Sequence, residues 1–247
     1  MSRIFEPTFV RISADLAHCV KRCRYCQMLF RYRATFAFER YFRMVECFFE
    51  YKEQTGFGLR PDLGPSMDTT LGVYARDLDY IRRTVWDCRV ILMGGIRWMS
   101  DRELTKWLRD RQALGIEMIA LSYLGYGERH DYFNNQPGHF AYQINLQKIA
   151  ATLGLRSHEQ LLLVESVLPL LEELVERLDE TGSTDYKMRR TYHLLYSGLG
   201  RRWEHERVTR AMLEPLPDSV KSGPSAMTIG GQNENGRNLC CKGSTSP

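Results

Sequence analysis

The chain has 247 residues, 34 Lys+Arg against 30 Asp+Glu, a net charge of +4 and 43% hydrophobic residues. That composition excludes disorder along the whole length and a fibrous repeat, and the charge is too small to indicate a nucleic-acid partner. No apolar run approaches the ~18–20 residues that span a bilayer, and Met1–Glu6 lacks the apolar core of a signal peptide. A soluble, cytoplasmic protein with reduced thiols and no membrane partner is therefore expected.

In chain order, Thr8–Ser13 alternates weakly and predicts a short first strand. Directly after it comes His18-Cys19-Val20-Lys21-Arg22-Cys23-Arg24-Tyr25-Cys26, with three of the seven cysteines inside eight residues. A reducing compartment does not crowd disulfide partners in this way, whereas thiolates so close together point to a soft metal centre. The C-x3-C-x2-C spacing lets each thiolate meet one corner of a cubic [4Fe–4S] cluster, leaving the fourth iron without a protein ligand. A structural zinc site needs four closed ligands; His18 adjoins Cys19, and Cys47 falls in a predicted helix. Zinc and inert buried thiols stand as alternatives. Lys21, Arg22 and Arg24 either offset the charge of a thiolate-ligated cluster or form a solvated run.

With Tyr25 just before its last cysteine, this loop resembles the signature of the radical S-adenosylmethionine (radical SAM) superfamily. The resemblance implies an α/β fold, a partial (β/α) barrel of parallel strands, with a [4Fe–4S] cluster on Cys19, Cys23 and Cys26. It also implies S-adenosylmethionine (S-adenosyl-L-methionine) chelated at the open iron, with Tyr25 near its adenine. The activity implied is reductive cleavage of that cofactor to methionine and a 5′-deoxyadenosyl radical, which abstracts hydrogen from a substrate. An electron donor such as a flavodoxin or ferredoxin is the implied partner. Peptide, nucleoside, RNA and small metabolite are all open as substrates. A non-catalytic metal-binding module and a degenerate radical SAM scaffold are the alternative functions.

Further along, Ala34, Ala37, Phe38, Tyr41, Val45, Phe48 and Phe49 recur at helical spacing and predict an aromatic-rich amphipathic helix. Gly56–Met67, rich in glycine and proline, predicts loop. Arg89–Met93 is a compact apolar run of the buried parallel type, ended by Gly94-Gly95. The resemblance implies at that point a Gly-Gly-Glu motif whose backbone touches the methionine amino group. Gly94 and Gly95 are thus expected to bind the cofactor, while Ile96 in place of the acid leaves that contact to main chain or another carboxylate. A tight turn is the alternative.

Ser100-Asp101-Arg102-Glu103 is a capping box opening a helix whose Leu104, Trp107, Leu108 and Leu114 form a core stripe, closed by Gly115. Ile116–Leu121 predicts a third strand, and a helix from Phe140 to Leu153 precedes a fourth strand at Gln160–Glu165. Gly125–Tyr132, between them, is expected as a polar, mobile lip facing substrate. Val167, Leu168, Leu171, Leu174, Val175 and Leu178 give the next helix its apolar face. Tyr192–Tyr196 predicts a fifth strand, followed by a helix from Arg202 to Leu213.

Strand and helix alternate as in an α/β barrel or sheet, where sites gather at the carboxyl ends of strands. This nominates Ser122, Tyr123, Glu165, Ser166, Tyr196 and Ser197. Ser122 and Glu165 are expected to bind the cofactor's ribose or methionine carboxylate; polar loop residues facing water are the alternative. Residues 1–214 read as one radical SAM partial-barrel domain with five βα repeats, where six are expected of the family. In residues 215–247, 14 of 33 are Gly, Pro or Ser, which predicts a flexible tail. In that tail, Ile229–Glu234 is faintly similar to a family adenine-contact motif, and Cys240-Cys241 are expected as exposed thiols.

Overall fold

Short apolar runs become strands and longer amphipathic ones helices in the computed structural model, which describes residues 9–12, 21–26, 37–56, 60–63, 89–93, 97–182, 190–194 and 204–216. Six strands lie among these residues, and every pairing is parallel. β1 (Phe9–Ile12) pairs with β2 (Arg60–Leu63), Phe9 opposite Arg60 and Ile12 opposite Leu63. Parallel neighbours need a crossover, and α1 (Phe38–Thr55) supplies it. Tyr41 and Val45 are buried on α1, while Cys47 is exposed. Gly56 ends the helix at φ 66, its N–H donating to the Lys52 carbonyl at 2.9 Å.

β2 corrects the loop expected over Gly56–Met67 and adds a sixth strand to the five predicted. Pro61 has no N–H to give, but in a two-stranded ladder half of each strand's polar groups face away from the partner, so the missing donor is tolerated.

The second sheet carries β3 (Val90–Leu92), β4 (Met118–Tyr123), β5 (Arg156–Leu163) and β6 (Arg190–Leu194) in that order. α2 (Asp101–Ala113) joins β3 to β4, and α3 (Gly127–Asn134) and α4 (His139–Thr152) join β4 to β5. A 3-10 turn, Glu165–Leu170, leads into α5 (Leu171–Asp179) before β6, and α6 (Arg210–Leu213) follows it. The predicted helix from Arg202 is thus confined, among the described residues, to a 3-10 turn at 204–206 and this single α-helical turn. The capping box forms as expected: Ser100 Oγ accepts from the Glu103 N–H, and the Glu103 carboxylate accepts from the Ser100 N–H at 2.8 Å.

Alternation along β4 sends Ile119, Leu121 and Tyr123 toward the helices, where they meet Leu104 and Leu108 of α2, Ile144 and Leu146 of α4, and Leu174 and Leu178 of α5. Each fully buried leucine in this layer contributes roughly 2 kcal/mol. β5 starts at Arg156, four positions before the predicted Gln160, because its first half buries polar groups that an apolar pattern does not reveal. Glu159 is 0% exposed. Arg190 Nε donates to its Oε2 at 2.8 Å, with Nη2 in an ion pair 2.7 Å from the same oxygen, and Gln147 Nε2 donates to its Oε1 at 2.5 Å. Tyr123 hydroxyl closes the chain on Gln147 Oε1 at 2.8 Å. Burial works against the Arg190 charge, but Glu159 and Asp179 outweigh it and hold the guanidinium above its ordinary range.

Leu216 still packs on the core, whereas residues 217–247, with Ile229–Glu234, Cys240 and Cys241, lie outside the described residues. No helix among the described residues is long and apolar enough to cross a membrane.

Candidate metal and cofactor site

Cys23 and Cys26 share one turn, closed by the Cys26 N–H donating to the Cys23 carbonyl at 3.2 Å, and both are half-buried. Cys19, Gly94, Gly95, Ile96, Tyr196 and Ser197 lie outside the described residues. The turn is fastened to the C-terminal end of α3. The Arg24 N–H donates to the Phe133 carbonyl at 2.7 Å, and its guanidinium donates to the Tyr132 carbonyl at 2.9 Å and Asn135 Oδ1 at 3.2 Å while lying 4.4 Å over the Tyr132 ring. Lys21 Nζ donates to Gln136 Oε1 at 2.5 Å.

The side chains of Cys23 and Tyr25, flanking Arg24, converge on Asn134. The Cys23 thiol and the Tyr25 hydroxyl donate to its Oδ1 at 3.5 and 3.3 Å. The Tyr25 ring packs on a cluster of Leu124, Phe133, Leu162, Val164 and Val167. Leu124 and Val164 directly follow β4 and β5, so the cysteine turn sits at the carboxyl end of the parallel sheet, where ligands bind in such folds.

Gly125–Tyr132 is not the mobile lip expected from its polarity. Its larger part folds as α3, and His130 is 0% exposed. The reason is a run of hydrogen bonds. The Leu124 N–H donates to His130 Nδ1 at 3.2 Å, so the proton of the neutral ring sits on Nε2, which faces His139 Nδ1 at 3.0 Å. The two rings are nearly parallel, their centroids 5.2 Å apart. Burial, then the charge of His139, pushes His130 well below its ordinary 6.5; burial, then Lys21, pushes His139 down to about 3. Asp131 turns the other way: its carboxylate accepts from the N–H groups of Gly138 at 2.6 Å and Phe140 at 2.7 Å, satisfying donors left over at the start of α4. The pair is no catalytic dyad, as its adjacency in sequence implies. Both side chains join α3 to α4.

Ser122 lies on the sheet face turned away from the helices and donates to Gln160 Oε1 at 3.0 Å. Thr191 is next in register; its hydroxyl is 2.8 Å from His193 Nε2 and 3.3 Å from His158 Nε2. Burial, then His158, pushes His193 below its ordinary value. Sequence reasoning named only Ser122 of this polar row. Arg156–Gln160 is polar throughout, so no alternation in the sequence marked His158 and Gln160 as sharing a face. Glu165 is exposed at the first position of the 3-10 turn, with Val164 and Val167 beside it in the Tyr25 cluster. Ser166 is held by Arg129 and Glu206, which themselves pair at 2.8 Å.

Gly125 turns the chain out of β4 at φ 82, and a Cβ there would lie 3.0 Å from Arg129 Cγ and 3.3 Å from Val167 Cγ2. Gly125→Ala should destabilise the fold by about 1–2 kcal/mol through left-handed strain alone. A urea unfolding midpoint equal to wild type would contradict this.

No family model matches the sequence, and no curated protein matches it. Solved structures do. SuiB of Streptococcus suis, bound to the precursor peptide SuiA, superposes with a TM-score of 0.58 at 13% identity, over 87% of this chain and 46% of SuiB. Another SuiB structure gives 0.52 at 12% identity, over 77% and 40%. A third, bound to S-adenosylmethionine, gives 0.49 at 13% identity, over 76% and 39%. The chain thus spans less than half the length of SuiB, and at such identity the likeness is one of fold. With its parallel strands and intervening helices, this chain shares with SuiB the fold of a partial β/α barrel.

Proposed function

We propose that the chain is a radical SAM enzyme, holding a [4Fe–4S] cluster on Cys19, Cys23 and Cys26 and binding S-adenosylmethionine beside Tyr25. The observation that carries this reading is the Cys23–Cys26 turn at the carboxyl end of a parallel sheet in this fold. Two soft sulfur donors on one turn, bordered by Lys21, Arg22 and Arg24, fit a thiolate-ligated cluster by their chemistry. Among the described residues no three of His, Cys, Asp and Glu gather around one metal ion; the third thiolate of this reading is Cys19.

Bound there, the cluster would supply one electron to the cofactor's sulfonium, releasing methionine and a 5′-deoxyadenosyl radical that abstracts hydrogen from the substrate. The protein's share is binding, orientation and shielding. Tyr25 offers a ring face to adenine. Gly94 and Gly95 offer backbone to the methionine amino group, and Ser122 and Glu165 offer hydrogen bonds to ribose or carboxylate. The cluster of Leu124, Phe133, Leu162, Val164 and Val167 keeps water from one side of the site. A flavodoxin or ferredoxin in the cytoplasm is the electron donor in this reading.

Anaerobic reconstitution with iron and sulfide, then dithionite and S-adenosylmethionine, should yield 5′-deoxyadenosine. Cys23→Ala should lose the cluster iron and all product, because one corner of the cluster loses its thiolate. Full iron content in that variant would remove the basis of the assignment. A cluster that forms without cleaving the cofactor would favour a degenerate scaffold. Zinc without an iron chromophore would favour a metal-binding module.

A further inference from the structure

Three segments at the carboxyl end of the sheet meet in a polar knot that shares no side chain with the cysteine turn. Arg129 comes from α3, after β4; Ser166 from the 3-10 turn after β5; Glu206 from the segment after β6. Arg129 Nη2 donates to Glu206 Oε1 at 2.8 Å and also to the Ser166 hydroxyl, which in turn donates to Glu206 Oε2. The rings of Phe133 and Tyr132, with centroids 4.6 and 5.2 Å from the guanidinium carbon, fix the plane of the cation. Yet the fit is incomplete. Nη2 carries both bonds, while Nε is buried without a hydrogen-bond partner. Nε and Nη2 form one edge of a guanidinium, the edge on which a carboxylate can make two parallel bonds. A buried donor left bare is costly, so Glu206 occupies this seat without filling it.

We propose that Arg129 and Ser166 form a binding site for a carboxylate-bearing ligand, and that Glu206 is its tethered occupant, displaced when the ligand arrives. The incoming carboxylate lies side-on across Nε and Nη2 and accepts from the Ser166 hydroxyl, so the bare donor gains a partner. Access is available from one side: the Arg129 side chain is 29% exposed and that of Glu206 13%, whereas the Glu159 carboxylate under Arg190 is sealed. Once displaced, Glu206 no longer ties the segment after β6 to the two neighbouring loops. Val208 and Leu213, anchored in the core behind it, stay in place, so the loosening is confined to the residues just before them. A tethered carboxylate competes with a free one, which weakens the ligand's apparent affinity by the fraction of time the seat is empty. The site holds no residue of the cluster reading and stands without it.

Acetate is the probe, added to the full chain at constant ionic strength with chloride as the control. In Glu206→Ala the seat has lost its occupant, and acetate should raise the thermal unfolding midpoint where chloride does not. An Arg129→Met, Glu206→Ala double variant should lose that response. Wild type should bind acetate about tenfold more weakly than Glu206→Ala. Binding should also speed its amide exchange over residues 204–208, where the Arg207 N–H closes a turn on the Glu204 carbonyl. Equal affinity in wild type and Glu206→Ala overturns the inference, because Glu206 then does not compete. So does a Glu206→Ala midpoint that acetate moves no more than chloride, or a double variant that still responds. Unchanged exchange at 204–208 in wild type, at roughly a hundredfold the acetate that half-saturates Glu206→Ala, makes the contact a structural ion pair and overturns it too. Should Glu206→Ala not fold, Glu206→Gln, which keeps the shape and removes the charge, carries the same comparisons.

Discussion

Glu159→Ala should lower the free energy of unfolding by about 3–5 kcal/mol, the cost of removing one partner from a buried ion pair. The carboxylate is fully buried, and hydrogen bonds from Arg190 and Gln147 converge on it together with the Arg190 ion pair. Without it the Arg190 side chain, itself only 16% exposed, is left with Asp179, which is 57% exposed and bonds at 3.0 Å. Gln147 loses its acceptor, and its link to Tyr123 loosens with it. Glu159→Gln should cost less, since one oxygen still accepts, and a Glu159→Met, Arg190→Met double variant should recover most of the loss because no uncompensated charge remains. Urea unfolding of the four proteins checks this. A loss below about 1 kcal/mol in Glu159→Ala would show the pair to be dispensable.

Mild acid should destabilise the protein before its carboxylates titrate. His130 and His139 are held neutral when folded, His139 with a value of about 3, whereas in the unfolded chain each takes up a proton near 6.5. Below about pH 6.5 the unfolded state therefore binds more protons than the folded one. The stability these histidines contribute is fully present above that pH and falls by up to about 1.4 kcal/mol per pH unit for each, as the pH drops toward their folded values. His193, also lowered, adds in the same direction. The structural reason is that a proton on His130 Nδ1 would face the Leu124 N–H that it now accepts. Unfolding midpoints at about pH 7.5 and about pH 5.5 test the slope, and His139→Gln should flatten it by one proton's worth. Equal wild-type midpoints at the two values would refute the account.

Where local pattern and tertiary need agree, the sequence was enough to see the structure. The apolar run at Arg89–Met93, the capping box at Ser100 and the stripe of Leu104 and Leu108 all stand as expected. The misreadings share a cause: a partner distant in the chain. Arg60–Leu63 carries a proline and looks like a turn until β1 is laid beside it. Arg156–Glu159 looks like the polar approach to a strand until Arg190 and Gln147 neutralise Glu159. The segment after β4 looks like a lip because His130 and Asp131 are polar, yet one is sealed against His139 and the other caps α4. Within the site, spacing singled out Cys23 and Cys26, and the family resemblance singled out Tyr25. Asn134 was not singled out, since nothing near it in sequence marks it as different from any other asparagine at a helix end.

The attachment of the cysteine turn to α3 also sets an order of assembly. Lys21, Cys23, Arg24 and Tyr25 bond to residues 132–136, across separations of 108 to 115 positions. Closing so long a loop is entropically costly until the far wall exists to receive it. A nascent chain that has emerged only as far as α2 already carries Cys23 and Cys26 but has no seat for their turn. The turn gains its seat only once α3 has formed, so its docking belongs to the end of folding rather than its beginning.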